Sequence, residues 1–251
     1  ALAVVNATGP WSDALRAEVG EPPLLRRTKG AHVIVRRDRV VNHEAVTITS
    51  PLDGRGMFIL PWGELAYVGT PDTDSDEGPD EVRATGDDVV YLLRSANAYY
   101  PGARLTAEDA MATWAGLRPL LKPEATRDPS AVSREHRVVE GAQGLVSIVG
   151  GKLTTYRVMA RQVVDIIAWR LHRLDGRPLA RRPPTHREPL PGGEARDLDV
   201  VVREVEREGR TRLVAEHLVG TYGTEAIAVA RLARSSDDLR QPMVPGHPAL
   251  R

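Results

Sequence analysis

Val149-Gly150-Gly151-Lys152-Leu153-Thr154-Thr155-Tyr156-Arg157 is the stretch from which the rest of the chain is best read. Residues 145–149 ahead of it are apolar and rich in β-branched side chains, and residues 154–174 after it carry a helical pattern. The stretch therefore reads as a strand, a glycine turn and a helix N-terminus. Two adjacent glycines let a backbone approach a ligand with no Cβ in the way. Thr154 and Thr155 offer the hydroxyls that cap helices. The first N–H groups of a helix have no partner within it, and the helix dipole places partial positive charge there. Lys152 adds a full charge. Such a turn suits an anion or an electron-rich ring. The same spacing also describes an ordinary strand-to-helix turn, so both readings stand at this point.

Outward from the turn, the composition limits the function classes. The 251 residues are enough for one large or two ordinary domains. Basic and acidic residues balance at 34 each, which gives no broad nucleic-acid surface. Cysteine is absent, excluding disulfides, thiolate metal sites and a cysteine nucleophile. Lysine occurs only as Lys29, Lys122 and Lys152, and two of these adjoin glycine. No run approaches the roughly 18–20 apolar residues of a membrane span.

Upstream, residues 1–5 read as a buried strand. Asn6-Ala7-Thr8-Gly9-Pro10-Trp11 is the tight loop that leaves it, with Ser12 capping a short helix. Small loops at the carboxyl ends of strands are where open α/β sheets bind ligands. Residues 31–36, 45–50, 57–61 and 65–70 read as short strands of a mostly antiparallel sheet, opened by Lys29-Gly30-Ala31-His32. His32 has the chemistry of a proton acceptor as well as that of a packed ring. The acidic run 72–80 lacks the ligand spacing of a calcium loop and reads as a solvated loop. Residues 85–99 form a helix pattern. Arg118, between apolar neighbours and Pro119, calls for a carboxylate or an anionic ligand. Ser133-Arg134-Glu135-His136-Arg137 is a second basic cluster, and arginine is suited to clamping phosphate bidentately.

Downstream, the helix pattern of residues 154–174 places Tyr156, Met159, Val163, Ile167, Leu171 and Leu174 on one face. The proline- and arginine-rich residues 177–193 read as a linker between a region 1–176 and a helical domain 194–251. Helices are expected at 197–208, 211–222 and 224–234, with Gly209 and Gly223 as stops.

In their order and spacing, these segments resemble the FAD-dependent glycerol-3-phosphate dehydrogenases. The segments concerned are Asn6 to Trp11, Lys29-Gly30-Ala31-His32, Gly69-Thr70-Pro71-Asp72, Gly116-Leu117-Arg118-Pro119-Leu120, Ser133-Arg134-Glu135 and the glycine turn itself. The resemblance implies an α+β or α/β fold: a partial FAD-binding fold of the glutathione-reductase and D-amino-acid-oxidase type, with an antiparallel substrate sheet and a small helical domain after it. It implies that Asn6, Ala7, Thr8, Gly9, Pro10 and Trp11 contact FAD near its diphosphate and ribityl part. Gly150, Gly151, Lys152, Leu153, Thr154 and Thr155 would face the flavin ring. Arg118, Arg134 and Lys152 would hold glycerol 3-phosphate, and Arg118 and Lys152 would serve the chemistry; His32 is a candidate for the catalytic base by its own chemistry, with a water or a residue outside these 251 as the alternatives. The implied reaction gives dihydroxyacetone phosphate and passes electrons to a quinone, in a cytoplasmic enzyme peripheral to the inner face of a membrane, with a homodimer as one assembly. A glycerol-3-phosphate oxidase using oxygen, and a non-catalytic module binding phosphate esters, are the alternatives; an amine-oxidising flavoprotein is a more distant one. The glycine fingerprint G-x-G-x-x-G does not occur in these residues. A fragment that binds FAD weakly or not at all by itself is therefore the expectation.

Overall fold

Residues 25–36 alternate side chains between two faces, and they form one strand of 12 residues. This strand organises the larger of two sheets in a computed structural model that describes residues 1–122, 135–179, 183–244 and 247–251. The strands are, in order, β1 (Val4–Asn6), β2 (Leu25–Arg36), β3 (Val46–Thr49), β4 (Gly56–Trp62), β5 (Leu65–Gly69), β6 (Thr73–Asp74), β7 (Ala112–Leu121), β8 (Arg137–Glu140) and β9 (Leu145–Val149). The helices are α1 (Ser12–Glu18), α2 (Arg37–Val40), α3 (Gly86–Tyr99), α4 (Tyr156–Asp175), α5 (Leu198–Arg207), α6 (Arg212–Tyr222) and α7 (Ala226–Arg234).

The larger sheet has the order β3-β4-β5-β2-β6, and β7 lies along the other side of β2. Every pairing in it is antiparallel. Ala31, Val33 and Val35 of β2, Met57 and Ile59 of β4, and Ala66 and Val68 of β5 turn to one face and are buried. Leu92, Leu93 and Ala96 of α3 cover them. Thr85 caps α3: its hydroxyl accepts from Asp88 N–H at 3.3 Å, and Asp88 Oδ2 accepts from Thr85 N–H at 2.8 Å. The alternate residues of the same strands face away from α3 and carry the site.

The second sheet is β1-β9-β8, with β1 parallel to β9 and β8 antiparallel to it. Met159, Val163, Ile166 and Ile167 of α4 pack on Val146 and Ile148. The helical face expected from the spacing is thus buried only in its middle, since Tyr156 and Leu174 at its ends are exposed. Residues 1–5 are not a buried strand either. Val4 and Val5 are exposed, because among the described residues β1 pairs on one side only, with β9. Ser12 is the first residue of α1, and Trp11 is the cap residue. Lys29-Gly30-Ala31-His32 lies in the middle of β2 rather than at its start, because β7 pairs with β2 from Leu25 onward.

The described residues divide into two compact units, Ala1–Ala180 and Arg181–Arg251. The second is a helical unit in which Val201, Val202 and Val205 of α5 pack with Leu218 and Val219 of α6 and Ala226 and Ala230 of α7. Asp197 and Thr211 cap α5 and α6, and Gly209 and Gly223 follow those helices with φ of +84° and +57°.

Candidate functional site

Strands β1 and β9 run side by side, with Asn6 opposite Ser147. Their carboxyl ends therefore deliver the loop 7–11 and the turn 150–155 to the same edge of one sheet. Asn6 is fully buried and shapes its own loop. Its Nδ2 donates to Ser12 O at 3.0 Å, and its Oδ1 accepts from the Thr8 hydroxyl at 2.7 Å. Trp11 is exposed and donates from Nε1 to Asp80 at 3.1 Å. A Cβ added to Gly9 would meet nothing within 4 Å, so the loop has open space above it.

Gly150 and Gly151 have φ of +75° and +83°, a conformation that favours glycine. Their lack of side chains answers first to the protein itself. A Cβ at Gly150 would stand 2.5 Å from Glu135 O, and one at Gly151 would stand 2.5 Å from Met159 Sδ. The glycine pair lets the turn fit under the segment leading into β8. Its outer side is exposed at Lys152, Leu153 and Thr154. A single 3-10 turn, Leu153–Thr155, precedes α4. Thr155 stands at the cap position of α4 but makes no cap bond. Its hydroxyl instead accepts from Lys152 N–H at 3.2 Å and donates to Lys152 O at 2.9 Å.

On the larger sheet, the face away from α3 brings together His32, Gly69, Trp114, Gly30, Thr28 and Arg118. Register fixes this grouping: His32 lies opposite Gly69 and Trp114, Gly30 opposite Gly116, and Thr28 opposite Arg118. The imidazole stacks on the Trp114 ring at 4.8 Å and meets Tyr67 edge-on at 6.0 Å. Gly69 leaves the space that the imidazole fills. His32 Nδ1 is buried with no hydrogen-bond partner among the described residues, and so is Thr70 Oγ1. Burial first, and the Arg118 guanidinium second, push the His32 pKa below its ordinary 6.5. Arg118 pairs with the buried carboxylate of Asp72. The solvated-loop expectation fails at Asp72, because this ion pair draws it into the sheet. It fails also at Thr73 and Asp74, which pair with β2 as β6, and holds at Asp76, which is exposed and outside any strand. Among the described residues, no group of acidic or histidine side chains could hold a metal ion.

The two assemblies meet where β7 packs beside the Gly9–Trp11 turn and beside β9. Arg118 thus lies on a strand that packs beside the first loop and beside the strand leading into the second, with His32 on the neighbouring strand β2. Lys152 stands exposed at the loop edge. Arg134 lies outside the described residues. Lys29, although beside Gly30 in sequence, points to the opposite side: it is buried and pairs with Asp88 at 2.8 Å, tying β2 to the start of α3. Asp72, Thr70 and Trp114 had no assigned role in the sequence. Strand parity signals them only once the register of β2 against β5 and β7 is known.

The comparisons with known proteins agree with this geometry. The family model for FAD dependent oxidoreductases matches residues 1–157. An aerobic glycerol-3-phosphate dehydrogenase of Staphylococcus haemolyticus is 36% identical over 244 residues, covering 94% of this chain and 43% of the relative. One from Staphylococcus aureus is 42% identical over 170 residues, covering 67% of this chain and 30% of the relative. The crystal structure of a Bacillus halodurans glycerol-3-phosphate dehydrogenase complexed with FAD superposes with a TM-score of 0.78 at 34% identity, covering 94% of this chain and 46% of that one. The chain spans less than half the length of these relatives. Its residues fit the flavin end of such a cofactor: open space over Gly9, an exposed helix start at Leu153 and Thr154, and the Lys152 charge at one sheet edge. By its match over more than half its length, the chain belongs to the FAD dependent oxidoreductases.

Proposed function

We propose that the chain forms the substrate-facing part of a glycerol-3-phosphate dehydrogenase, which oxidises glycerol 3-phosphate to dihydroxyacetone phosphate and delivers electrons to a quinone. The observation that carries this reading is the placement of Arg118 and His32 on one face of the β2–β7 pair, of which β7 packs beside the Gly9–Trp11 turn and beside β9, the strand that leads into the turn 150–155. FAD, when held by residues 7–11 and 150–155, supplies the acceptor for the hydride that leaves C2 of the substrate. The remaining tasks fall to the chain itself. Arg118 binds the phosphate through its guanidinium, with Lys152 and Arg134 adding charge. His32 takes the proton of the C2 hydroxyl, so that loss of hydride from carbon and proton from oxygen leaves a carbonyl. Its lowered pKa keeps the ring neutral and able to accept. Trp114 and Tyr67 hold the ring in place and shield it from water. The relatives named aerobic glycerol-3-phosphate dehydrogenase support the substrate assignment. A quinone acceptor places the protein against the inner face of a membrane. Among the described residues no helix is long and apolar enough to cross one.

The test is anaerobic addition of glycerol 3-phosphate to the chain at saturating FAD, followed by a quinone analogue. The flavin absorbance should bleach and then recover. Bleaching in H32Q should slow by about 10²-fold or more, the usual loss when a general base is removed. R118A should need far more substrate. A wild-type flavin that is bound, as quenching of its fluorescence shows, yet stays oxidised overturns this function, and recovery with oxygen but not with the quinone analogue overturns the acceptor.

A further inference from the structure

Asp72 lies between β5 and β6 with its side chain only 5% exposed. Burying a carboxylate this deeply is costly unless it is paired. Two strands supply the pairing. Thr28 of β2 donates its hydroxyl to Asp72 Oδ1 at 3.4 Å, and Arg118 of β7 pairs with the same oxygen through Nη1. Thr28 and Arg118 are direct partners in the β2–β7 register, so the carboxylate bridges two neighbouring side chains on one face. The backbone of Asp72 is fixed in turn. Arg55 donates to Asp72 O at 3.0 Å and to Thr73 Oγ1 at 3.3 Å. Arg55 is itself held by Asp53 at 2.6 Å and lies 5.1 Å over the Tyr91 ring of α3. A continuous line of contacts thus runs from α3 to the Arg118 guanidinium.

The guanidinium is also shaped from below. A Cβ on Gly30 would lie 3.6 Å from Arg118 Nη2 and 2.7 Å from Thr70 Oγ1, so glycine lets both groups settle close to the strand. A guanidinium has five donors in one plane, and the Asp72 carboxylate engages Nη1. Arg118 keeps 30% of its side chain exposed. An arginine on a free stem has many rotamers, and fixing it before a ligand arrives lowers the ordering cost of binding.

We propose that Asp72 is a positioning residue for the phosphate ester: it holds the Arg118 guanidinium in one orientation. The consequence for binding rests on the function proposed above, in which Arg118 is the phosphate ligand. The orientation itself does not.

Two measurements on the 251-residue chain separate them. In the ligand-free chain, ¹⁵N NMR should show Arg118 Nη signals split by hindered rotation, lost in D72N and retained in D72E. Unchanged Arg118 signals in D72N overturn the positioning role. Calorimetry with glycerol 3-phosphate then forms a double-mutant cycle. D72N should weaken binding about tenfold by releasing the guanidinium. On an R118A background it should weaken binding no further, because there is nothing left to position. Equal weakening with and without the Arg118 side chain marks Asp72 as merely structural and overturns the proposal. Should D72N fail to fold, D72S takes its place in both measurements, with the Nη splitting lost and the loss of binding expected only when Arg118 is present. A wild-type chain that binds no glycerol 3-phosphate removes the phosphate reading, and the NMR result alone then decides for Asp72.

Discussion

His32 shows how a single side chain acquires a chemical bias from its strand neighbours. The ring lies between Trp114 and the space left by Gly69, so charging it would put an imidazolium where little water reaches. The Arg118 charge opposes protonation further. The folded pKa is therefore lower than the unfolded one. The unfolded chain takes up this proton first as pH falls, so the stability from keeping His32 neutral is complete above its unfolded value of 6.5 and is lost as pH drops toward the folded value. Urea midpoints measured from ~pH 7.5 down to ~pH 5, the range in which an imidazole titrates, should fall more steeply for the wild type than for H32Q. Identical slopes would show that His32 does not carry this linkage. The sequence marked His32 and Arg118 by residue type and neighbours. It could not mark Trp114, nor say that Gly69 makes room for the imidazole, because both meet the ring across strands, and register between distant strands is not written in local spacing.

At the scale of elements, the turn 150–155 was legible as a strand-to-helix junction. The strand, the glycines and the helix all fall where the pattern places them. What the pattern left open was which neighbour requires the glycines, and the structure answers with Glu135 and Met159. This difference ranks two substitutions. In G150A the new methyl meets a backbone carbonyl that cannot move without shifting β8. In G151A it meets the end of a flexible methionine. Both incur the strain of a positive φ, at about 1–3 kcal/mol. G150A should add a further overpacking cost of about 1–3 kcal/mol, and thermal melts should place it well below G151A. A reversed order would mean that the segment near Glu135 yields more easily than the Met159 side chain. The same logic explains Lys29. A lysine next to a glycine looked like a binding feature, but odd-numbered positions of β2 turn toward α3, and there the ammonium meets Asp88.

For the molecule as a whole, the α+β class was legible in the short strands and helices, and the structure divides between Ala180 and Arg181, within the proline- and arginine-rich residues 177–193. The edge position of β1 was not foreseen, because an apolar run looks the same whether one side of the strand is paired or two. The pairing of β1 with β9 has a kinetic consequence. The β3–β4 and β4–β5 pairs close over short loops, whereas Val4 must find Leu145, with the whole antiparallel sheet lying between them in the chain. Contacts between residues so far apart form slowly, because the loop must close before the contact repays it. Pulse-labelled hydrogen exchange during refolding should therefore protect the amides of β4 and β5 before those of β1 and β9. On a ribosome the order is stricter still: β1 emerges before β9 and cannot pair with it until β9 has been made, so the edge that gathers both loops acquires its shape after the antiparallel sheet that lies between them in the chain.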